Sequence, residues 1–227
     1  MSMEPRPRPP ADEAQLLARA TELAGRPVRT VAERFGLPTP NDLKAHKGWV
    51  GQLLEYALGA SAGSRAEPDF PHLQVELKTV PVDSQAVPRE STYVCVCPLD
   101  GVTLAQGWEA SWARRKLARV LFVPVVQRGD EPVGDRMVGA PVFWEPGPDD
   151  LRRLKQDWDE ITGRISLGEL ARLDGSVGEV LQLRPKAANL TETTWVLDGD
   201  AEWVQTGPRG FYLRRSFTRE ILARAFG

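Results

Sequence analysis

Polar and apolar residues alternate from Leu73 to Lys78: Leu73, Val75 and Leu77 are apolar, while Gln74, Glu76 and Lys78 are polar. Period-two alternation predicts a strand with one face in the core and one face open. Other stretches follow a helical period. Residues 12–24 gather Leu16, Leu17, Ala20, Leu23 and Ala24 on one side and end at Gly25, which predicts a first helix. A short second helix is expected from Thr30 to Phe35, and Pro38–Asp42 reads as a turn leading into another helix start. Lys47 to Ala60 carries the stripe Val50, Leu54, Ala57 and Leu58, broadened by Trp49, Leu53 and Tyr56. Glu55 falls on the remaining side, beside Gly48, Gly51, Gln52 and Gly59. A carboxylate on so bare a face leaves room for something bulky to approach it, although an exposed helix face has the same pattern.

Further along, Pro81–Glu90 reads as a loop and Ser91–Cys97 as a strand able to pair with the central one. Glu109–Leu117 reads as a helix holding Arg114, Arg115 and Lys116, followed by the strand Val120–Val125. Residues 149–172 form a charged helical region around Trp158 and Ile161, interrupted at Gly163 and Gly168, with an acidic face expected to be solvated. Short strands at Val180–Leu183, Trp195–Leu197, Trp203–Thr206 and Phe211–Arg214 precede a last helix over 218–226. No internal repeat is visible. The order of helices and strands predicts an α/β or α+β fold with a mixed sheet. Residues 1–11, rich in proline, are expected as a mobile tail, and 12–227 as one domain with two sub-lobes.

Composition narrows the function. Hydrophobic content of 41% and charged content of 26% are ordinary for a soluble globular chain. No apolar run approaches the roughly 18–20 residues of a membrane span, and the first residues lack the apolar core of a secretory signal. A cytoplasmic protein is expected. Cys95 and Cys97 cannot close a structural zinc site by themselves, and His46 and His72 are too few for a histidine cluster. The net charge of −2 excludes a uniformly basic nucleic-acid coat, so any affinity for nucleic acid must come from segregated charge. Segment 128–160 carries nine acidic and five basic residues, whereas 203–227 carries five arginines against one glutamate.

The chemistry lies in Asp69, six residues, Glu76, one residue, Lys78. Two carboxylates can hold a hard cation through oxygen, and a lysine two residues on can orient the attacking water and offset charge on a phosphate. An isolated Glu-x-Lys equally describes a solvated strand face with a weak ion pair.

The separated stretches Lys47-Gly48-Trp49-Val50-Gly51 with Leu53-Leu54-Glu55, Leu58 to Ser64, Val75-Glu76-Leu77-Lys78-Thr79, Arg184-Pro185-Lys186-Ala187-Ala188-Asn189, and Pro208-Arg209-Gly210-Phe211-Tyr212-Leu213 together resemble the MutH family of DNA mismatch-repair endonucleases. The resemblance implies a restriction-endonuclease-like fold with two lobes around a DNA cleft. It also implies Mg²⁺-dependent nicking, 5′ to the G, of the unmethylated strand at hemimethylated GATC in double-stranded DNA. Activation by MutL, with MutS acting indirectly, and a monomeric enzyme are implied as well. Glu55, Asp69, Glu76 and Lys78 match the family's catalytic positions, and Lys116 its additional lysine. Glu55, Asp69, Glu76 and the carbonyl of Leu77 are the implied ligands of one or two Mg²⁺ ions.

Lys47 and Gly48 are expected at the DNA backbone, where helix-start amides face outward. Arg184 and Lys186 are expected to read bases, with Pro185 between them stiffening this DNA-binding loop, since arginine or lysine on guanine is the commonest major-groove contact. Tyr212 matches the family's sensor of adenine methylation, while Phe211 is expected in the core. Residues 190–206 and 127–136 show no clear resemblance. A type II restriction endonuclease cutting both strands at GATC is the nearest alternative. A non-catalytic DNA-binding module would have no reason to gather carboxylates that repel phosphate.

Overall fold

The computed structural model describes residues 3–41, 46, 48–63, 67–186, 193–200 and 202–226. Along the chain run helices α1 (Glu13–Leu23), α2 (Val28–Arg34) and α3 (Trp49–Leu58), then strands β1 (Glu76–Val82) and β2 (Thr92–Val96). The helices α4 (Gly101–Leu104) and α5 (Trp112–Lys116) lead to strands β3 (Val120–Val126), β4 (Met137–Val138) and β5 (Val142–Trp144). The long helix α6 (Pro148–Ser166) follows, then β6 (Leu181–Pro185), β7 (Thr194–Leu197), β8 (Trp203–Thr206), β9 (Arg209–Leu213) and α7 (Arg215–Phe226).

The chain divides into two compact units. Unit 1 comprises Met1–Glu90, Arg119–Glu145 and Ile221–Gly227, and unit 2 comprises Ser91–Ala118 and Pro146–Glu220. Unit 1 is built on a mixed sheet: β1 runs parallel to β3, and β4 and β5 pair antiparallel to β3. The apolar run of β3 is buried almost throughout, as a central strand covered on both faces requires. Leu16, Ala20 and Leu23 of α1, and Leu53, Leu54, Ala57 and Leu58 of α3, bury against Leu121, Val123 and Val125 of β3. The stripe expected on α3 is therefore the packed one. Asp12 caps α1 by accepting the Gln15 N–H at 2.8 Å.

Unit 2 holds a second, antiparallel sheet in the order β2-β9-β6, and the ribbon β7-β8. Here the structure corrects several expectations. The strand after the loop pairs with β9, not with the central strand; its companion was invisible because it lies near the other end of the chain. Gly163 does not interrupt α6, which runs on to Ser166, while Gly168 (φ +77°) follows its end. The acidic face of α6 is only partly solvated: Asp150 and Asp157 are buried. Asp157 accepts the N–H groups of Glu179, Val180 and Leu181 at 2.6–2.8 Å, so it anchors the entry to β6. The helix expected over Glu109–Leu117 is split, with a 3-10 turn at Trp108–Ala110 and Ser111 capping α5 through the Arg114 N–H.

The residues before α1 differ from the expected tail. Glu4 donates its N–H to Arg34 O at 2.9 Å, Arg6 donates to Ala60 O at 2.6 Å, and the Arg6 guanidinium lies 5.1 Å from the Tyr56 ring centre. Gly59 (φ +80°) permits this close approach, because a side chain there would begin 2.6 Å from Arg8 O.

Candidate functional site

The path into the site is set by a tight turn. Phe70 and Val75 exchange both backbone hydrogen bonds, Phe70 N–H to Val75 O at 2.9 Å and the reverse at 3.3 Å. Pro71 to Gln74 fill the reversal, with Gln74 at φ +56°. Leu73 and Gln74 thus belong to a turn, and the strand begins only at Glu76. The reversal brings Asp69 back beside the strand start, where its Oδ2 accepts the Leu77 N–H at 2.8 Å. The six-residue spacing between the two acids is the length of this turn.

Arg119 holds the turn in place. It donates to Leu73 O at 2.9 Å, pairs with Glu13, and its carbonyl accepts the Glu76 N–H at 2.9 Å. Residue type alone gave no signal for this role; it exists because Glu76 lies opposite Val120 in the β1–β3 register.

Glu76 is buried, contrary to the open strand face expected from alternation. Its Oε1 accepts from Lys78 Nζ at 2.7 Å, with the Glu76 side chain 4% and the Lys78 side chain 14% exposed, so this pair is far from a solvated surface bridge. Asp69 is pushed up from 3.8 to about 6, first by burial and then by the Glu76 carboxylate. The Leu77 N–H and the Lys78 charge oppose the rise, and Glu55 adds to it. Glu55, Asp69, Glu76 and Lys78 therefore share one electrostatic neighbourhood in unit 1. The bare face of α3 is real: Thr79 Oγ1 and Glu55 Oε1 lie 3.7 and 4.0 Å from where a side chain on Gly51 would begin.

The donor set is hard carboxylate oxygen throughout. Among the described residues no three His, Cys, Asp or Glu side chains converge to hold a metal by themselves, so Glu55 does not complete a preformed cage. Mg²⁺ is normally bound through one or two carboxylates and fills its remaining positions with water and phosphate oxygen. The Asp69–Glu76 pair fits that habit: Asp69 is pushed up first by burial and then by the Glu76 carboxylate, and a cation would offset both.

Unit 2 presents a different chemistry. On the β2-β9-β6 sheet, Tyr212 lies opposite both Tyr93 and Gln182, and Arg184 opposite Gly210. The Tyr93 and Tyr212 rings meet edge-to-face at 5.3 Å, the Arg184 guanidinium lies 5.9 Å from the Tyr212 ring, and Lys186 Nζ lies 5.6 Å from the Tyr93 ring. Arg184 also donates to Ser91 Oγ at 2.8 Å. Gly210 makes room for both rings, which would stand 3.0 and 3.1 Å from a β-carbon placed on it. Arg184, Lys186 and Tyr212 are thus brought together on one sheet, with Pro185 exposed between the two cations. Phe211 is buried, as expected. Tyr93 and Ser91 are additions that sequence reading missed, because the pairing of β2 with β9 places them there.

Lys116 stands at the end of α5, in unit 2. Gly48 caps α3 with φ +82°, whereas Lys47 and Ala187–Asn189 lie outside the described residues.

Comparison with known proteins matches residues 58–157 to the family model described as "DNA mismatch repair enzyme MutH". A DNA mismatch repair protein MutH of Shewanella baltica (strain OS155 / ATCC BAA-1091) is 51% identical over 221 residues, covering 96% of this chain and 98% of that protein. The chain belongs to the MutH family. The MutH protein of Salmonella paratyphi A (strain ATCC 9150 / SARB42) is 50% identical over 222 residues, covering 98% of this chain and 96% of its own. That of Klebsiella pneumoniae (strain 342) is 49% identical over 225 residues, covering 99% and 97%. Among the described residues of this MutH-family chain, no helix is long and apolar enough to cross a membrane.

Proposed function

We propose that this MutH-family endonuclease cuts one strand of double-stranded DNA, the unmethylated strand at hemimethylated GATC, 5′ to the G, using Mg²⁺. The observation that carries the reading is the convergence of Asp69, Glu76 and Lys78 at the start of β1, with the Asp69 pKa raised to about 6 by burial and neighbouring negative charge. Asp69 and Glu76 would hold the metal, joined by Glu55 and the Leu77 carbonyl, whether one ion or two are bound. Bound Mg²⁺ supplies polarisation of the phosphoryl oxygen and neutralises charge on it. Lys78, kept at the strand face by Glu76, orients the attacking water and offsets charge in the transition state. Lys116 contributes a phosphate contact from unit 2.

Sequence reading falls to the second sheet. Phosphate contacts carry no base information, so Arg184 and Lys186, stiffened by Pro185, are assigned to base edges and Tyr212 to the adenine methyl group. Lys47 and Gly48 are assigned to the DNA backbone. We assign MutL as the activating partner, MutS as its upstream trigger, a monomeric enzyme and a cytoplasmic location.

The test uses DNA with a single GATC, unmethylated, hemimethylated or fully methylated, with Mg²⁺ or EDTA and with or without MutL and ATP. Strand-specific nicking of the hemimethylated site, stimulated by MutL and abolished by EDTA, is the expected result. Rapid cutting of both strands without MutL would instead identify a type II restriction enzyme, and binding without cleavage would remove the catalytic assignment.

A further inference from the structure

Beside the carboxylate group, unit 1 contains an open groove of about 700 Å³. Gly48 and Gly51 at the start of α3, Thr79 of β1, and Arg89, Gln127 and Arg136 line it. Two guanidinium groups therefore face one cavity. Arg89 is exposed, and its guanidinium donates a long bond, 3.4 Å, to Gln127 O. Arg136 is half-buried, and its Nε is fully buried with no hydrogen-bond partner in the described structure. The Arg136 guanidinium, whose Nε is unsatisfied within the fold, is thus one of the two cationic groups that line the groove.

The wall opposite adds to the same polarity. α3 begins at Gly48 with no side-chain cap among the described residues; the Trp49 N–H donates to His46 O at 3.1 Å, and the helix dipole is positive at that end. Glycines at 48 and 51 keep this wall bare; nothing lies within 4 Å of a β-carbon built on Gly48. Burial, and more weakly Arg89, lower the affinity of Arg136 for its proton, while Glu131 and Glu90 oppose this. Glu131 is partly occupied in its own loop, accepting the Arg128 N–H at 2.6 Å, and among the described residues exposed Glu90 is the one acid on the groove wall.

We propose that this groove binds a backbone phosphate of the DNA substrate, with Arg136 and Arg89 as the cationic contacts and the α3 start as the amide contact. The inference rests on the reading of the chain as a DNA endonuclease and extends it to residues outside the catalytic group. Thr79 lies three residues beyond Glu76 on β1, about 10 Å along a strand and on its other face, so the phosphate held here is distinct from the scissile one. The groove is thus a positioning site that acts alike on every sequence, in contrast to the base-reading face.

The experiment compares the full-length wild type with Arg136→Gln, Arg136→Lys, Arg89→Gln and the Arg89→Gln/Arg136→Gln double variant. Binding to GATC and GATC-free duplexes is measured in EDTA across a series of rising salt concentrations, cleavage in Mg²⁺, and melting temperature for each protein. The double variant is expected to lose affinity about tenfold or more, equally on both duplexes, with the salt slope shallower by about 0.9 for each phosphate no longer neutralised. KM should rise while kcat stays within about twofold, and Arg136→Lys should keep most of the slope. Exposed Arg89→Gln keeps the test open should Arg136→Gln fail to fold. An unchanged salt slope in variants that melt like wild type would overturn the proposal. Inorganic phosphate serves as a second probe: if Arg136→Gln abolishes its binding while the DNA slope stays put, the groove is a small-anion site and the DNA assignment falls. Failure of the wild type to cut any DNA would refute the endonuclease reading instead.

Discussion

Two aspartates, one in each unit, show how the same side chain is used for opposite ends. Asp157 is 3% exposed and accepts three backbone N–H groups at the entry to β6. Asp69 accepts the Leu77 N–H and faces Glu76 and Glu55, so its pKa is driven up to about 6 by burial and by those charges. The first carboxylate is satisfied by the fold and needs no further partner. The second is left under-compensated, which is a cost to the folded chain and an affinity for a cation. Under-compensated carboxylates of this kind cluster at functional sites, although structural networks also perturb pKa values, which makes Asp69 the candidate and Asp157 the anchor.

The sharpest way to break this contrast is at Glu76. Glu76→Ala should lower cleavage on the order of 10²–10³-fold while leaving binding to the duplex intact; cleavage at the wild-type rate would remove the site assignment. Asp157→Ala should act on stability instead. It leaves two buried N–H groups and one part-buried one without an acceptor, at about 1–3 kcal/mol for each buried group, so urea denaturation should report a loss of about 2 kcal/mol or more. A loss under about 1 kcal/mol would show that Asp157 is not the anchor the geometry indicates.

Next in size is Arg184→Ala, expected to weaken discrimination at one base pair by about 1–3 kcal/mol with little change in the rate at the best site. Equal loss on all sequences would make Arg184 a backbone contact. The smallest effect concerns Asp69→Asn, which keeps an acceptor for the Leu77 N–H but removes the crowded charge. The folded pKa of Asp69 lies above the ordinary 3.8, so its favourable contribution is complete below pH about 4 and is lost as pH rises through about 6. Relative to wild type, the metal-free asparagine variant should therefore gain about 1–2 kcal/mol between pH 4 and 8, after discounting for solvent screening. Added Mg²⁺ should close that gap by stabilising the wild type alone. Melting curves with EDTA and with Mg²⁺ below, near and above the Asp69 pKa check the sign.

Several features of the site could be read directly along the chain. The apolar stripe of α3 and the placement of Glu55 opposite it depend only on helical period. The return of Asp69 to Glu76 depends on a turn of a few residues, and Glu76 and Lys78 share a strand face by alternation. The proline-flanked cations Arg184 and Lys186 could likewise be placed on one short segment. All of these are interactions between near neighbours, where backbone geometry leaves few alternatives.

Other features belong to pairings between distant segments. Glu76 is buried because β3 runs parallel beside β1, and the turn before it is fixed by Arg119 from that same crossing. Tyr93 and Ser91 join Tyr212 and Arg184 because β2 pairs with β9 instead of β1. The anchoring of β6 by Asp157, the tethering of residues 4–6, and the convergence of Arg89 with Arg136 arise in the same way. Residue order alone therefore singled out the candidate side chains and the local turns, helices and strands that bring near neighbours together. Which carboxylate is buried, which is compensated and which cations meet came from the folding of distant segments together. Desolvation and charge coupling depend on distances in space, and periodicity along the chain does not encode the register of strands far apart.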